Sequence, residues 1–334
     1  MMTLWVEFII CSGAVIISGA YLAKYGDIIA EKSGLGRTWI GLILMASVTS
    51  LPELVNGISS VTIANAPDIA IGDLMGSCIF NLSIIALMDI MHGSSPIFSK
   101  AENSHLITAG FGTILIGIAT VSILAGIDLP SFGRIGAYTP LVILIYPLAI
   151  RSIFLFEKRK AVELSEVKAQ KELYAEVPVS KAVFMYAFHA AIIVLAAIFL
   201  PIVGNKLANA TGLGGTFFGT FFIGMTTSLP ELIVSIAALR IGATDLAIAN
   251  MLGSNVFNML ILGIDDLFYE HGPLLTHVSK THAVTGTIAM IMTGIAIVSL
   301  TYRLKRKTVL RIGWDAIAIL IAYFVSIVLL YILK

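Results

Sequence analysis

Charge is what this sequence has least of. Only 12% of its 334 residues are charged and the formal balance is +1, whereas soluble domains carry about 25% charged residues. Near-neutrality removes any electrostatic argument for nucleic acid. Cysteine is almost absent too: Cys11 and Cys78 both lie in apolar segments, which argues against a disulfide framework or a thiolate metal site. The opening residues, Met1 to Glu7, lack the basic stretch of a cleaved signal peptide, so the first apolar run reads as a permanent span.

What the chain has instead is long hydrophobic runs. It is 58% hydrophobic with a mean hydropathy of +0.97, and a bilayer core needs roughly 20 apolar residues per helix. Ten runs meet that length, at about 4–23, 38–63, 68–91, 105–126, 135–156, 182–203, 216–240, 245–269, 283–302 and 312–333. Only the charged stretch 157–181, headed by Glu157-Lys158-Arg159-Lys160, makes a long connection. The organisation expected is a first five-helix repeat over 1–156, a cytoplasmic linker over 157–181 and a second repeat over 182–334. Odd-numbered connections carry sixteen Lys and Arg residues against three in the even ones. That bias places the odd connections in the cytoplasm of a cell-membrane protein and both termini outside.

The halves share two phrases. Thr49-Ser50-Leu51-Pro52-Glu53-Leu54 returns as Thr227-Ser228-Leu229-Pro230-Glu231-Leu232, offset by 178 residues. Gly76-Ser77-Cys78-Ile79-Phe80-Asn81 returns as Gly253-Ser254-Asn255-Val256-Phe257-Asn258, offset by 177. An odd number of helices per repeat makes the second half enter the membrane from the opposite side. The fold class expected is therefore an all-α polytopic membrane protein with ten transmembrane helices as two inverted-topology repeats, an architecture whose sites lie at the repeat interface near the midplane.

An ionised carboxylate at mid-bilayer costs about 2.5–3.5 kcal/mol even on the lenient insertion scale. This chain places Glu53 and Glu231 there, each one residue after a proline that breaks the backbone ladder and frees a carbonyl. Thr, Ser and Glu around each break offer only oxygen donors, which suit hard cations such as Ca2+ and Na+. A proline-kinked helix with hydroxyls can simply pack, but two copies with Glu in register favour a cation site. Asp73, Ser77 and Asn81 follow at spacings of four, a stripe on one helix face matched by Asn250, Ser254 and Asn258. Asp73 breaks the symmetry, and two roles stay open: a third negative charge or proton-binding group at the site, or a residue one turn off it bonded to backbone. Asp89 and Asp266 read as vestibule or interface residues, Asp68 and Asp245 as helix N-caps, and His189 as a packing histidine. The glycines at 34–36 and 212–215 show no phosphate-binding pattern and read as turns.

At these phrases the sequence resembles the cation/calcium exchanger superfamily, whose best-known branch is the sodium/calcium exchangers. The match runs from Gly41 to Asn81 and from Gly219 to Asn258. The resemblance implies that Glu53 and Glu231 are the central carboxylate ligands. Thr49, Ser50, Thr227 and Ser228 then give hydroxyl or carbonyl oxygens, with backbone carbonyls near Ala46 and Gly224. Ser77 and Ser254 line the sodium positions, and Asn81 and Asn258 complete the centre. Three positions depart from the family pattern: Asp73 and Cys78 stand where Asn is usual, and Asn258 where many sodium-coupled members have Asp.

The function expected is secondary antiport of Ca2+, or a related divalent cation, for Na+ by alternating access, with a divalent cation/H+ exchanger of the same fold as the alternative. A channel or an intramembrane enzyme fits less well: there is no separate pore-loop signature and no second aspartate in a catalytic phrase. Inorganic cations and the lipid bilayer are the partners expected, with no cofactor beyond the transported ions and no obligatory protein partner.

Overall fold

The computed structural model describes residues 1–32, 46–93, 95–128, 130–163, 177–240, 242–303, 306–308 and 312–333. The glycine turn at 34–36, Gly41 and most of the 157–181 linker lie outside the described residues. The rest is helical apart from a two-residue antiparallel pair, β1 (Ser131–Phe132) with β2 (Ile135–Gly136).

The two halves run through the same element order. The first contains α1 (Met2–Lys32), α2 (Ala46–Thr49), α3 (Leu51–Thr62), α4 (Pro67–Met91), α5 (Ser104–Ala125) and α6 (Tyr138–Glu163). The second contains α7 (Val179–Thr211), α8 (Gly215–Thr227), α9 (Leu229–Arg240), α10 (Thr244–Phe268), α11 (His282–Tyr302) and α12 (Trp314–Ile332). Eight helices are long and apolar enough to cross a membrane, and the α8–α9 pair, bent by 43°, makes up to nine among the described residues. The run expected at 38–63 is described only from Ala46 onward, as α2 and α3.

Burial separates centre from rim. In α4 and α10, 78% of the apolar stretch is buried, against 22% in α6 and 28% in α12. Helices α4 and α10 are therefore enclosed on nearly every face, including the face of their polar stripes, while α6 and α12 keep a face for lipid. The helices α1 and α7, with 31 and 33 residues, are each longer than the roughly 20 residues a bilayer requires. They pack on each other through Leu22 and Ile193 and through a ring stack in which His189 lies 4.7 Å from Tyr21 at 12°.

Four acids tie the halves together, and each of their backbone N–H and histidine contacts has its copy 177 residues away. Asp89 accepts from the backbone N–H of Ile97 at 2.6 Å and of Gly313 at 2.7 Å. Asp266 accepts from Leu274 at 2.7 Å and Gly136 at 2.9 Å, and also from the hydroxyls of Tyr138 and Thr139. Both are fully buried, so these are fasteners of a loop end and of the opposite half, rather than vestibule groups. The N-cap reading of Asp68 and Asp245 is corrected in the same way. Neither caps its own helix by a side-chain bond. Asp68 instead accepts from Ser279 N at 2.7 Å and pairs with His282 Nε2 at 3.0 Å; Asp245 accepts from Glu102 N at 2.8 Å and pairs with His105 Nε2 at 2.9 Å. Free N–H groups just before the next helix are the stronger claim on those carboxylates, because they are otherwise orphaned at a helix start.

Candidate cation site

The site begins with two broken helices. Ser50 has φ −86° and ψ 12°, and Ser228 has φ −88° and ψ 4°, so both leave the helical region at matched positions for the sparsely allowed bridge region. The cause is the proline two residues on, whose ring cannot continue the preceding turn. Just upstream, Phe218–Ile223 forms a π-helical turn, another device that offsets backbone near functional positions. Glycine lets α4 approach this stretch closely. A Cβ on Gly76 would collide with the Thr220 carbonyl, and one on Gly72 would lie 2.9 Å from the Gly219 Cα.

All eleven candidate ligands are buried, none more than 1% exposed: Thr49, Ser50, Glu53, Asp73, Ser77, Asn81, Thr227, Ser228, Glu231, Ser254 and Asn258. The two glutamates are held reciprocally by the opposite break. Ser50 donates to Glu231 Oε1 at 3.1 Å, and Ser228 donates to Glu53 Oε1 at 3.1 Å. Thr49 adds a hydrogen bond to Glu231. The second oxygen of each glutamate, Oε2, has no hydrogen-bond partner. Glu53 lies within electrostatic reach of two other acids, Glu231 and Asp73, so the centre is a buried cluster of carboxyl groups braced by hydroxyls.

Asp73 belongs to this network. Its Oδ1 accepts from Thr227 at 2.7 Å and from Ser77 at 3.4 Å, and its Oδ2 accepts from Asn56 at 2.6 Å. These side-chain partners distinguish it from an acid set one turn off and bonded to backbone. The Ser77 hydroxyl also lies 3.5 Å from Glu53 Oε1 and 3.3 Å from the Gly224 carbonyl, so one donor is shared among three acceptors. Asn81 donates to Asn255 Oδ1 at 3.0 Å, and Asn255 returns a bond to the Cys78 carbonyl at 3.1 Å. This amide bridge joins α4 to α10 where the two halves meet. Ser254 Oγ and Asn258 Nδ2 are buried without a partner.

Among the described residues no three His, Cys, Asp or Glu side chains gather closely enough to hold a metal by themselves. The donors that converge are carboxylate, hydroxyl, amide and carbonyl oxygens, which is the chemistry of a weakly held, exchangeable hard cation rather than of a structural transition metal. Asn56 was not among the candidates, although its position three residues after Glu53 on the same helix face is a readable signal. Ser235, which accepts from Asn250 of the expected stripe at 3.1 Å, and the buried Asp265 had no motif to mark them.

The family described as sodium/calcium exchanger protein matches residues 3–153 and 180–332. The chain belongs to that family. Family membership places it among transporters rather than enzymes and among multi-pass membrane proteins. It is similar to the sodium/calcium exchanger MaX1 of Methanosarcina acetivorans, 24% identical with 93% of each chain covered. It is also similar to the inner membrane protein YrbG of Escherichia coli, 26% identical with 74% of each covered. Among solved structures, the sodium-calcium exchanger NCX_Mj soaked with 100 mM Na+ and 10 mM Sr2+ superposes with a TM-score of 0.63 at 20% identity, covering 98% of this chain and 99% of that one. The H+/Ca2+ exchanger CAX superposes with a TM-score of 0.70 at 15% identity, covering 99% of this chain and 86% of that one. These two structures establish a shared membrane-exchanger fold. The family as a whole supports cation/Ca2+ exchange.

Proposed function

We propose that this family member is an antiporter that exchanges Ca2+, or a related divalent cation, for Na+ by alternating access. The observation that carries the reading is the reciprocal pair of glutamates: two buried carboxylates, each braced by a serine of the opposite half, each with one oxygen left over. Their combined charge of −2 balances one divalent ion, two Na+ or two protons. A loaded site can cross because neutralisation removes the cost of an uncompensated charge in a low-dielectric medium, whereas the empty site pays it in full. The ligands proposed are Glu53, Glu231, Thr49, Ser50, Thr227, Ser228, Ser77, Ser254, Asn81, Asn258 and Asp73. The matched loop fasteners and the duplicated element order support ten transmembrane helices in two inverted five-helix repeats, 1–156 and 182–334, with both termini extracytoplasmic. The stretch between the two family-matched blocks, 154–179, overlaps the cytoplasmic linker proposed at 157–181. The long helices α1 and α7 are the pair proposed to slide past the rest.

A second reading, exchange for H+, rests on one observation. Asn258 brings no charge to the centre, while Asp73 brings a carboxylate held by Thr227, Asn56 and Ser77. Uptake of 45Ca2+ into proteoliposomes under an outward Na+ gradient, and then under an outward H+ gradient, separates the two. Uptake driven by Na+ is the expected result. Uptake driven only by H+ would replace the first reading with the second, and uptake with neither would remove both for Ca2+.

A further inference from the structure

One acid beside the centre has no part in it. Asp265, near the C-terminal end of α10, is fully buried and neither of its carboxylate oxygens has a hydrogen-bond partner. Its neighbour in sequence, Asp266, is saturated by two backbone N–H groups and two hydroxyls, so the adjacent acids do different work. Asp265 lies against Gly57 of α3, where any Cβ would collide with Oδ2 and stand 2.7 Å from Oδ1. Two more buried acceptors without a partner, Asn56 Oδ1 and Ser60 Oγ, lie on the same helix. Residues 53, 56, 57 and 60 share one face of α3 at spacings of three and four. Asn56 commits its amide nitrogen to Asp73 at 2.6 Å, which leaves its oxygen as the free acceptor. Asp73, the acid that Asn56 bonds, lies within electrostatic reach of Asp265.

The symmetry-related pair, α9 with α4, lacks this arrangement. Its counterparts are Val234 for Asn56, Ser235 for Gly57 and Ala238 for Ser60, and Met88 stands where Asp265 does. The cluster is therefore not a by-product of the duplication. We propose that Asp265, Asn56 and Ser60 hold one monovalent alkali cation at a site separate from the glutamate centre, with Asp73 as its neighbouring charge.

The chemistry selects the ion. A lone buried carboxylate costs several kcal/mol as an anion, so it takes either a proton or a cation. The Ser60 hydroxyl, itself a donor, has no acceptor within hydrogen-bond reach, and a proton on Asp265 adds only one donor more, whereas one cation takes all three kinds of oxygen at once. The Asp73 oxygens already accept hydrogen bonds, which leaves a ligand charge of −1 and favours a singly charged ion. Carboxylate, amide and hydroxyl oxygens exclude a soft metal.

The site is tested apart from the antiport reading by equilibrium binding of 22Na+ and of 86Rb+ to the purified protein carrying Glu53→Gln and Glu231→Gln. Glutamine can still accept the serine braces while the central charge is gone. The expected result is about one alkali ion retained per chain in that background, weakened at least tenfold by adding Asp265→Asn and severalfold by adding Ser60→Ala. Either isotope serves as the positive result, and their ratio reports which alkali ion fits. Failure of both isotopes to bind the glutamine background would overturn the proposal and leave Asp265 as a protonated acid. So would binding that neither Asp265→Asn nor Ser60→Ala alters. Ser60→Ala changes no charge and decides the matter if Asp265→Asn does not give a monodisperse protein.

Discussion

The two halves of this molecule use the same parts for structure and different parts for charge. In both, a serine at a broken helix reaches across to the other half's glutamate at 3.1 Å, and in both an aspartate fastens two backbone N–H groups. Around that shared frame the first half holds Asp73 and Asn56 where the second has Asn250 and Val234. The consequence is visible in the hydroxyls. Thr49 bonds to Glu231, yet its counterpart Thr227 is drawn to Asp73 rather than to Glu53. Ser77 lies within reach of Glu53, Asp73 and Gly224, while Ser254 has no partner. Duplication built the frame, and a few substitutions gave one side of it a tighter hydrogen-bond network around Asp73.

The comparison breaks most sharply at the glutamates. Glu53→Gln and Glu231→Gln should each lower 45Ca2+ flux in proteoliposomes by roughly 10²-fold or more, since removing one member of a charged buried set costs about 3–5 kcal/mol. The two losses should agree within a few fold, and wild-type flux in a well-folded Glu231→Gln protein would sink the assignment. Next come the fasteners. Asp266→Asn and Asp89→Asn should each lower stability by about 1–3 kcal/mol, because a backbone N–H loses a charged acceptor. In thermal unfolding in detergent Asp266→Asn also loses Tyr138 and Thr139, while Asp89→Asn also loses its ion pair with Lys307 Nζ at 3.5 Å; similar drops are expected, and a much larger one for Asp266→Asn would show that the two hydroxyls outweigh the ion pair.

Asp73→Asn converts the first half to the second half's pattern at this position. It should weaken Ca2+ affinity about tenfold, some 1.4 kcal/mol, read as the Ca2+ concentration for half-maximal uptake, while Asn250→Asp should not mirror it because Ser235 rather than a threonine holds that side chain. A matching gain from Asn250→Asp would erase the asymmetry. The smallest effect belongs to Ser50→Ala and Ser228→Ala, about 0.5–1.5 kcal/mol each for one hydrogen bond. Double-mutant cycles of Ser50 with Glu231 and of Ser228 with Glu53 should return similar coupling energies, and a large difference between them would show that the two braces are not equivalent.

Much of this was legible in the chain itself. Hydropathy, repeated phrases and helix-breaking prolines depend on residues within one or two turns, so the long apolar helices, the repeated phrases and the buried glutamates could be read directly. Asn56 was within reach, one turn beyond Glu53, and the stripe through Asp73, Ser77 and Asn81 was visible as spacing. The partners of Asp68, Asp245, Asp89 and Asp266 were not. Each lies in the other half or beyond a loop, and a local rule supplied the N-cap reading where a distant N–H group was the donor those carboxylates took.

By itself the amino-acid sequence determined a duplicated, charge-poor membrane protein that places two oxygen-rich breaks at mid-span, because helix length, periodicity and proline chemistry are local. Only the tertiary structure decided which hydroxyl braces which carboxylate, that Asp73 captures Thr227, and that Asp265 lies bare against Gly57. Those outcomes depend on how closely α3, α4, α8 and α10 approach, which is set where glycines let one backbone meet another and not by any residue's own propensity.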